Sequence, residues 1–166
     1  NEFIHKRGVE MDKKNELLAA AREVFAEKGY KAAGISDIAK RSQMAVGSFY
    51  KYYESKEAIF LEVYVAENSR IREETIKRVD WQGEPEAIVE QLFAVTFELI
   101  SPNKILAEWN KPGISQILHD YYNQDSGRAS NAFHQFLIQT FSQRLQEEGF
   151  SKEKIAEIMK VYDLIY

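Results

Sequence analysis

The feature that most constrains this chain is an apolar spacing of three and four residues that recurs almost from end to end. Proline interrupts such a pattern most readily, and the only three prolines fall between residues 85 and 112. No sustained two-residue alternation and no Asn-Gly or Asp-Gly hairpin turn occurs, so strands are not expected. The reading is all-α. Leu17, Leu18, Ala21, Val24 and Phe25 mark one face of a first helix from about 12 to 28, closed by Gly29. Ser36 reads as the N-cap of a short helix to about 42, and a second short helix spans about 45–51. Ser55 caps a long helix to about 79, and the Trp81–Pro85 stretch is a junction. A helix over about 85–101 carries two apolar stripes, 88/92/95/99 and 89/93/97/100, which predicts burial on more than one side. Further helices are expected over about 102–110, 114–123 and 128–148, and from Ser151 onward.

Composition removes several function classes. With no cysteine among 166 residues, disulfide scaffolds, thiolate zinc sites and cysteine nucleophiles are excluded. The longest uninterrupted apolar run, Leu17 to Ala21, is far short of a membrane span, so a soluble, cytoplasmic protein is expected. The only histidines are His5, His119 and His134, so a dedicated metal cage is not expected even though His119-Asp120 is a pair found in some metal hydrolases. No Gly-x-Ser-x-Gly elbow, Walker loop or dinucleotide fingerprint occurs. The chain does not read as an enzyme, and no cofactor is implied. Its net charge of −4 conceals an asymmetry: residues 1–60 carry eleven Lys/Arg against nine Asp/Glu, the remainder eleven against seventeen. A polyanionic partner, if there is one, belongs at the front. Residues 1–11 show no periodicity and read as a flexible arm, or a remnant ahead of a native start at Met11.

Residues 36–56 carry the chemistry. Two very short helices flank a tight turn, the outline of a helix-turn-helix. Gly47 lies inside the second of them, where it costs about 1 kcal/mol relative to alanine, and close approach of another backbone is one candidate for what offsets that cost. Tyr50, Tyr52 and Tyr53 crowd around Lys51 and precede Lys56, and phenol and ammonium groups are suitable donors to phosphate. Phe49 and Tyr53 fall on the inward phase of the helix and read as packing residues. The plainer alternative is that the tyrosines are core and the lysines solvated.

The stretch from Ile38 to Glu57, with Ala20-Ala21 to Phe25, Gly29-Tyr30 and Ile35 upstream, resembles the N-terminal domain of the TetR family of bacterial transcriptional regulators. The resemblance covers about residues 13–60. It departs at the turn, where the family pattern would place alanine at Ser42, glycine at Gln43, valine at Met44 and serine at Ala45. It implies a three-helix DNA-binding domain over 12–55 and a helical ligand-binding and dimerisation domain over 56–166. It carries Gly47, Ser48, Tyr50, Tyr52 and Lys56 to DNA-facing positions and Ser36 to a phosphate-contacting one. Arg41, Val46 and Lys51 are placed within reach of the groove or its rim. Few strong base readers sit on this probe helix, so phosphate contacts should carry much of the affinity and make it salt-dependent.

For the rear half the same resemblance implies a homodimer and an inducer pocket. Tyr64, Phe93, Phe97, Trp109, His119, Tyr122, Phe133 and His134 fit a mostly apolar or aromatic small-molecule effector, and an ordinary core is the alternative. Ile155, Ile158, Met159, Tyr162 and Ile165 form a stripe that reads either as dimer interface or as core. The function implied is a ligand-released repressor that binds a palindromic site in double-stranded DNA as a dimer. The rival reading is a helical protein-interaction module that has lost specific DNA binding.

Overall fold

A computed structural model describes residues 2–123 and 131–163, with side chains described at 10–122 and 135–157. The elements are α1 (Glu2–Ala32), α2 (Ile35–Arg41), α3 (Val46–Phe49), α4 (Lys56–Arg78), α5 (Pro85–Ile100), a 3-10 turn (Leu106–Glu108), α6 (Ile114–Asn123), α7 (Asn131–Glu147) and α8 (Lys152–Asp163). Among the described residues there is no strand, and no helix is long and apolar enough to cross a membrane.

The chain divides into two compact units. The first takes residues 1–71 and 99–120, the second 72–98 and 121–166, so the units do not follow a single cut near residue 55. In the first unit, α1 buries Leu17, Ala21, Val24 and Phe25, the helical spacing expected of one face. Ile38 and Ala39 of α2, Phe49 of α3, and Ile59, Phe60 and Val63 of α4 complete that core, with Ile105, Leu106 and Ile114. Phe25 meets Phe60 edge-on at 5.0 Å, and Tyr30 meets Phe60 at 4.7 Å. Each fully buried Phe or Leu here contributes roughly 1.5–3 kcal/mol.

A carboxylate sits within this apolar setting. Glu67 is only 3% exposed, and it accepts hydrogen bonds from Arg22 (2.9 Å), Arg70 (2.7 Å) and the side-chain amide of Asn103 (2.8 Å). Burial pushes its acidity toward weaker, but the bonds from Arg70, Arg22 and Asn103 outweigh that and hold the carboxyl at about 2.

In the second unit, Trp81 at the predicted junction donates to the Ile76 carbonyl at 2.8 Å and meets Phe136 edge-on at 4.9 Å. Arg144 donates to the Gly83 carbonyl at 2.8 Å, and Arg78 and Glu98 form a bidentate pair. Ile88 and Val95 of α5, Leu137 of α7 and Ile155 of α8 are buried.

Several local expectations are corrected. The helical backbone of α1 begins at Glu2, so residues 2–11 are not an irregular arm. Ser36 is not a cap: α2 starts at Ile35 with Gly34 before it, because the Asp37 carboxylate takes the Gly34 N–H at 3.0 Å and fixes an earlier start. Only one 3-10 turn forms across 102–110, since Asn103 Oδ1 accepts from the backbone of Ile105 and Leu106 and closes a local turn instead. The second α5 stripe is not buried: Phe93 is 65% and Phe97 74% exposed. The cap at Ser55 and the left-handed Gly29 stand where the sequence places them.

Candidate nucleic-acid interface

The site is built outward from a buried seam. Ile38, Ala39, Phe49 and Tyr53 turn inward and hold α2 and α3 against the first unit's core, with Phe49 fully buried and its ring centroid 5.9 Å from that of Tyr53. With those side chains inward, the helical phase turns the opposite face of α3 to solvent. Val46 is 45% and Tyr50 56% exposed. Gly47 and Lys51 are exposed beside them, while Ser48 and Tyr52 are half-buried. A Cβ added at Gly47 would meet nothing within 4 Å, so no neighbour in this chain demands glycine there.

The turn between the helices keeps its shape without the expected glycine. Gln43 takes a φ of 56°, the left-handed region that L residues avoid. The turn is closed by Met44 N–H donating to the Ala39 carbonyl at 2.8 Å and Gln43 N–H to that of Lys40 at 3.2 Å. The Ser42 hydroxyl adds bonds to the Ile38 and Ala39 carbonyls. The helix α3 itself is one turn long, shorter than the 45–51 expected, and bonds from Tyr52 and Tyr53 N–H to the Phe49 carbonyl carry the coil onward to residue 53.

The cations divide sharply. Lys31, Lys40 and Lys51 are exposed and form no ion pair among the described residues. Arg41 is committed instead to α1: it bonds Glu23 at 2.8 Å and Glu27 through both terminal nitrogens. These acceptors, Glu27 foremost, raise its already high pKa further, so it is a charged clamp between α1 and α2. Lys56, placed by the resemblance on DNA, donates to the carbonyls of Tyr30 and Ala33, each at 3.0 Å, with its ammonium 4.3 Å from the Tyr30 ring centroid. Lys28 pairs with Asp37 at 2.8 Å. Sequence spacing carries no sign of these internal partners, because they lie across helix boundaries. Ser36, in the first turn of α2, is exposed.

The proposed effector residues are divided between the two units. Tyr64 is buried in the first unit's core beside Phe60, at 6.1 Å between ring centroids, and Trp109 and His119 are exposed residues of that same unit. His119 lies 3.5 Å from Asp120. Phe93 and Phe97 are exposed on the second unit, where Tyr122 is half-buried against Tyr121. The side chains of Phe133 and His134 lie outside the described residues, although their backbone is in α7. Of the predicted dimer stripe, Ile155 is buried within its own chain. The side chains of Ile158, Met159 and Tyr162, and all of Ile165, lie outside the described residues. Among the described residues no group of three or more His, Asp or Glu is placed to hold a metal.

Among known proteins, residues 17–63 match the family described as bacterial regulatory proteins, tetR family. The HTH-type regulator YdgC of Bacillus subtilis is 42% identical over 72 residues, 43% of this chain and 36% of its own length. QacR of Staphylococcus aureus is 34% identical over 39% of this chain and 34% of its own length. The transcriptional activator FasR of Mycolicibacterium smegmatis is 40% identical over 33% and 23%. The chain thus spans about a third of the length of the first two curated relatives it matches. Among solved structures, a protein described as a TetR-family regulator from Mesorhizobium loti aligns at TM-score 0.53 and 17% identity, over 88% of this chain and 75% of its own. One described as a transcriptional regulator from Pseudomonas aeruginosa aligns at 0.52 and 17%, over 92% and 76%. These two extend the likeness of fold beyond the front segment.

Proposed function

We propose that this protein is a ligand-responsive, DNA-binding transcriptional regulator acting in the cytoplasm as a dimeric repressor, a reading supported by the match of residues 17–63 to the bacterial regulatory proteins of the tetR family. The observation that carries the reading is the outward face of α3: Val46, Gly47, Tyr50 and Lys51 are presented together, with open space above Gly47, on a helix anchored by fully buried Phe49. An exposed one-turn helix with a bare backbone patch is shaped to lie against a groove rather than to pack. Tyr50, Tyr52, Ser48 and Ser36 supply hydroxyl donors for phosphate, Lys51 a charge, and Val46 a methyl contact for thymine.

Two copies of this probe, about 34–36 Å apart, would meet successive major grooves of an inverted repeat. The proposed effector site is assigned to the second unit, where Phe93 and Phe97 are exposed and Tyr122 is half-buried. Effector binding lowers operator affinity by a coupling of about 1–3 kcal/mol, and the operator must lower effector affinity equally. The front segment is shared with a relative named as an activator, so that likeness does not by itself fix the sign of regulation. No step of this mechanism requires a catalytic residue, a metal or a cofactor.

Selection of bound duplexes from a random DNA pool tests the reading, with a variant carrying Tyr50→Ala and Lys51→Ala as reference. Recovery of one inverted repeat by the wild type, absent from the variant, is the expected result. Equal recovery of unrelated sequences would leave only charge-driven association. Recovery of nothing by a folded protein would replace the regulator with a helical interaction module.

A further inference from the structure

We propose that Gln43, in the turn between α2 and α3, is a specificity-determining residue whose side-chain amide reads an adenine in the major groove; the inference rests on the DNA-binding reading above. It begins from the backbone. Among the described residues Gln43 is the only one other than glycine with a positive φ, at 56°. In that region an L side chain crowds the following carbonyl oxygen, and glycine alone escapes the penalty. The turn itself is closed by the main-chain bonds of Gln43 and Met44 and by the Ser42 hydroxyl. The Gln43 side chain adds no hydrogen bond among the described residues. Strain held in this way at a surface turn points to a functional use of the side chain.

The place of Gln43 supplies that use. Ile38 and Ala39 turn inward, while Ser36 and Lys40, one helical turn apart, are exposed on the other side of α2. Past the turn, Val46, Gly47 and Tyr50 are exposed. Gln43 is exposed between these two sets, three residues after Lys40 and three before Val46. In helix-turn-helix docking the N-terminal end of the probe helix is the part that meets base edges, and Gln43 stands just ahead of that end. The exposed residues that follow it offer a methyl contact at Val46, a hydroxyl at Tyr50 and a charge at Lys51. From 43 to 51, only Gln43 sets a donor and an acceptor side by side on one planar group. Its carbonyl oxygen accepts from the adenine N6 amino group while its amide donates to N7, a pattern that distinguishes adenine from the other bases in the major groove.

The experiment selects bound duplexes from a random pool with wild type, Gln43→Gly and Gln43→Glu, and unfolds each protein in urea without DNA. Wild type should return adenine at one position of each half-site. Gln43→Gly should unfold at a higher urea midpoint and recover the same repeat with that preference lost. Replacing that adenine should cost wild type about tenfold or more in affinity, and Gln43→Gly less than about twofold. The carboxylate of Gln43→Glu only accepts, so the preference there should turn to cytosine, whose N4 amino group donates. Even weakening of every duplex by Gln43→Gly would indicate a phosphate contact, and unchanged selection no contact; either result overturns the proposal. A lower midpoint with weakening spread over all positions would show that the side chain serves the fold, and overturns it too.

The contact is also testable from the DNA side. Operator carrying 7-deazaadenine at the selected position lacks the N7 acceptor. Wild type should bind it several-fold more weakly than the natural operator, and Gln43→Gly should bind both alike. An equal loss in the two proteins would assign that N7 to another group and end the proposal. Failure of the DNA-binding reading is seen separately, in a wild type that selects no duplex.

Discussion

The two units of this molecule are braced differently. The first is tied across long stretches of sequence by charged and polar side chains: Lys14 to Glu62, Arg22 to Glu67, Asn103 to Glu67, Lys104 to the Glu27 carbonyl, Glu108 to Tyr30. Each bond joins elements that apolar packing alone would leave free to slide. The second unit has such ties near the Trp81 junction, yet along α5 it turns Val89, Phe93, Phe97 and Ile100 to solvent. A reading head must present a few atoms at fixed spacing, which calls for directional bonds. A surface that accepts an apolar molecule needs area, and directional bonds add little to it. Under the proposed function, the contrast would match a division of labour between specificity at the front and capacity at the rear.

The bracing of the first unit is tested most strongly at Glu67. Its carboxyl is held at about 2 against an ordinary 4.5, so the folded state favours the ionised form. A depressed folded value stabilises above the unfolded value and loses that contribution as the pH falls through it. The bond network is therefore fully effective above about pH 4.5 and fades toward pH 2. Discounted for the half-exposed arginines that share it, the contribution is about 2 kcal/mol. Asp37 and Glu57 are depressed as well, by their bonds to Lys28 and to Tyr30, so wild type alone would not isolate Glu67. Urea unfolding of wild type and Glu67→Gln from pH 7 to pH 2 should show a gap that closes over the acid end. A gap that stays constant with pH would mean that shape, not charge, holds Asn103 and the two arginines together.

The second test is smaller and lies in the turn. Gln43 at φ 56° carries a left-handed strain of about 1–2 kcal/mol, which glycine would relieve while giving back about 0.4–1 kcal/mol of unfolded-chain entropy. Gln43→Gly should therefore gain about 0.5–1 kcal/mol, read as a higher urea midpoint with an unchanged slope. A lower midpoint would show that the Gln43 side chain contributes something the backbone geometry does not reveal.

How much of the molecule is legible in its sequence follows from the range of the interactions. Helix faces, the Ser55 cap, the inward phase of Phe49 and Tyr53 and the outward phase of Tyr50 depend on residues within one or two turns, and spacing states them directly. Spacing puts the cap of α2 at Ser36, two positions late, because Asp37 reaches back to Gly34 and competes with Ser36 for the capping role. The resemblance places Arg41 and Lys56 toward the groove, and their internal partners, Glu23, Glu27 and the Tyr30 carbonyl, lie 14 to 26 residues away. No local pattern encodes such pairings. The second stripe of α5 looks buried for the converse reason, since periodicity shows that a face is apolar and says nothing of what covers it.

This uncovered stripe of α5 gives the smallest expected effect and the clearest contrast with the front. Phe97 is 74% exposed, so replacing it removes little packed area, and Phe97→Ser should change the unfolding free energy by no more than about 0.5 kcal/mol. Exposed aromatics spaced four apart, as Phe93 and Phe97 are, make a continuous apolar strip of the kind that binds other molecules. The variant should accordingly bind an apolar fluorescent dye more weakly than wild type while melting at the same temperature. Stability and surface function would then be separable on α5, whereas at Glu67 the side chain that could be changed is the one that holds the unit together. A Phe97→Ser protein destabilised by more than about 1 kcal/mol would contradict this, because a loss of that size requires a side chain packed in solution.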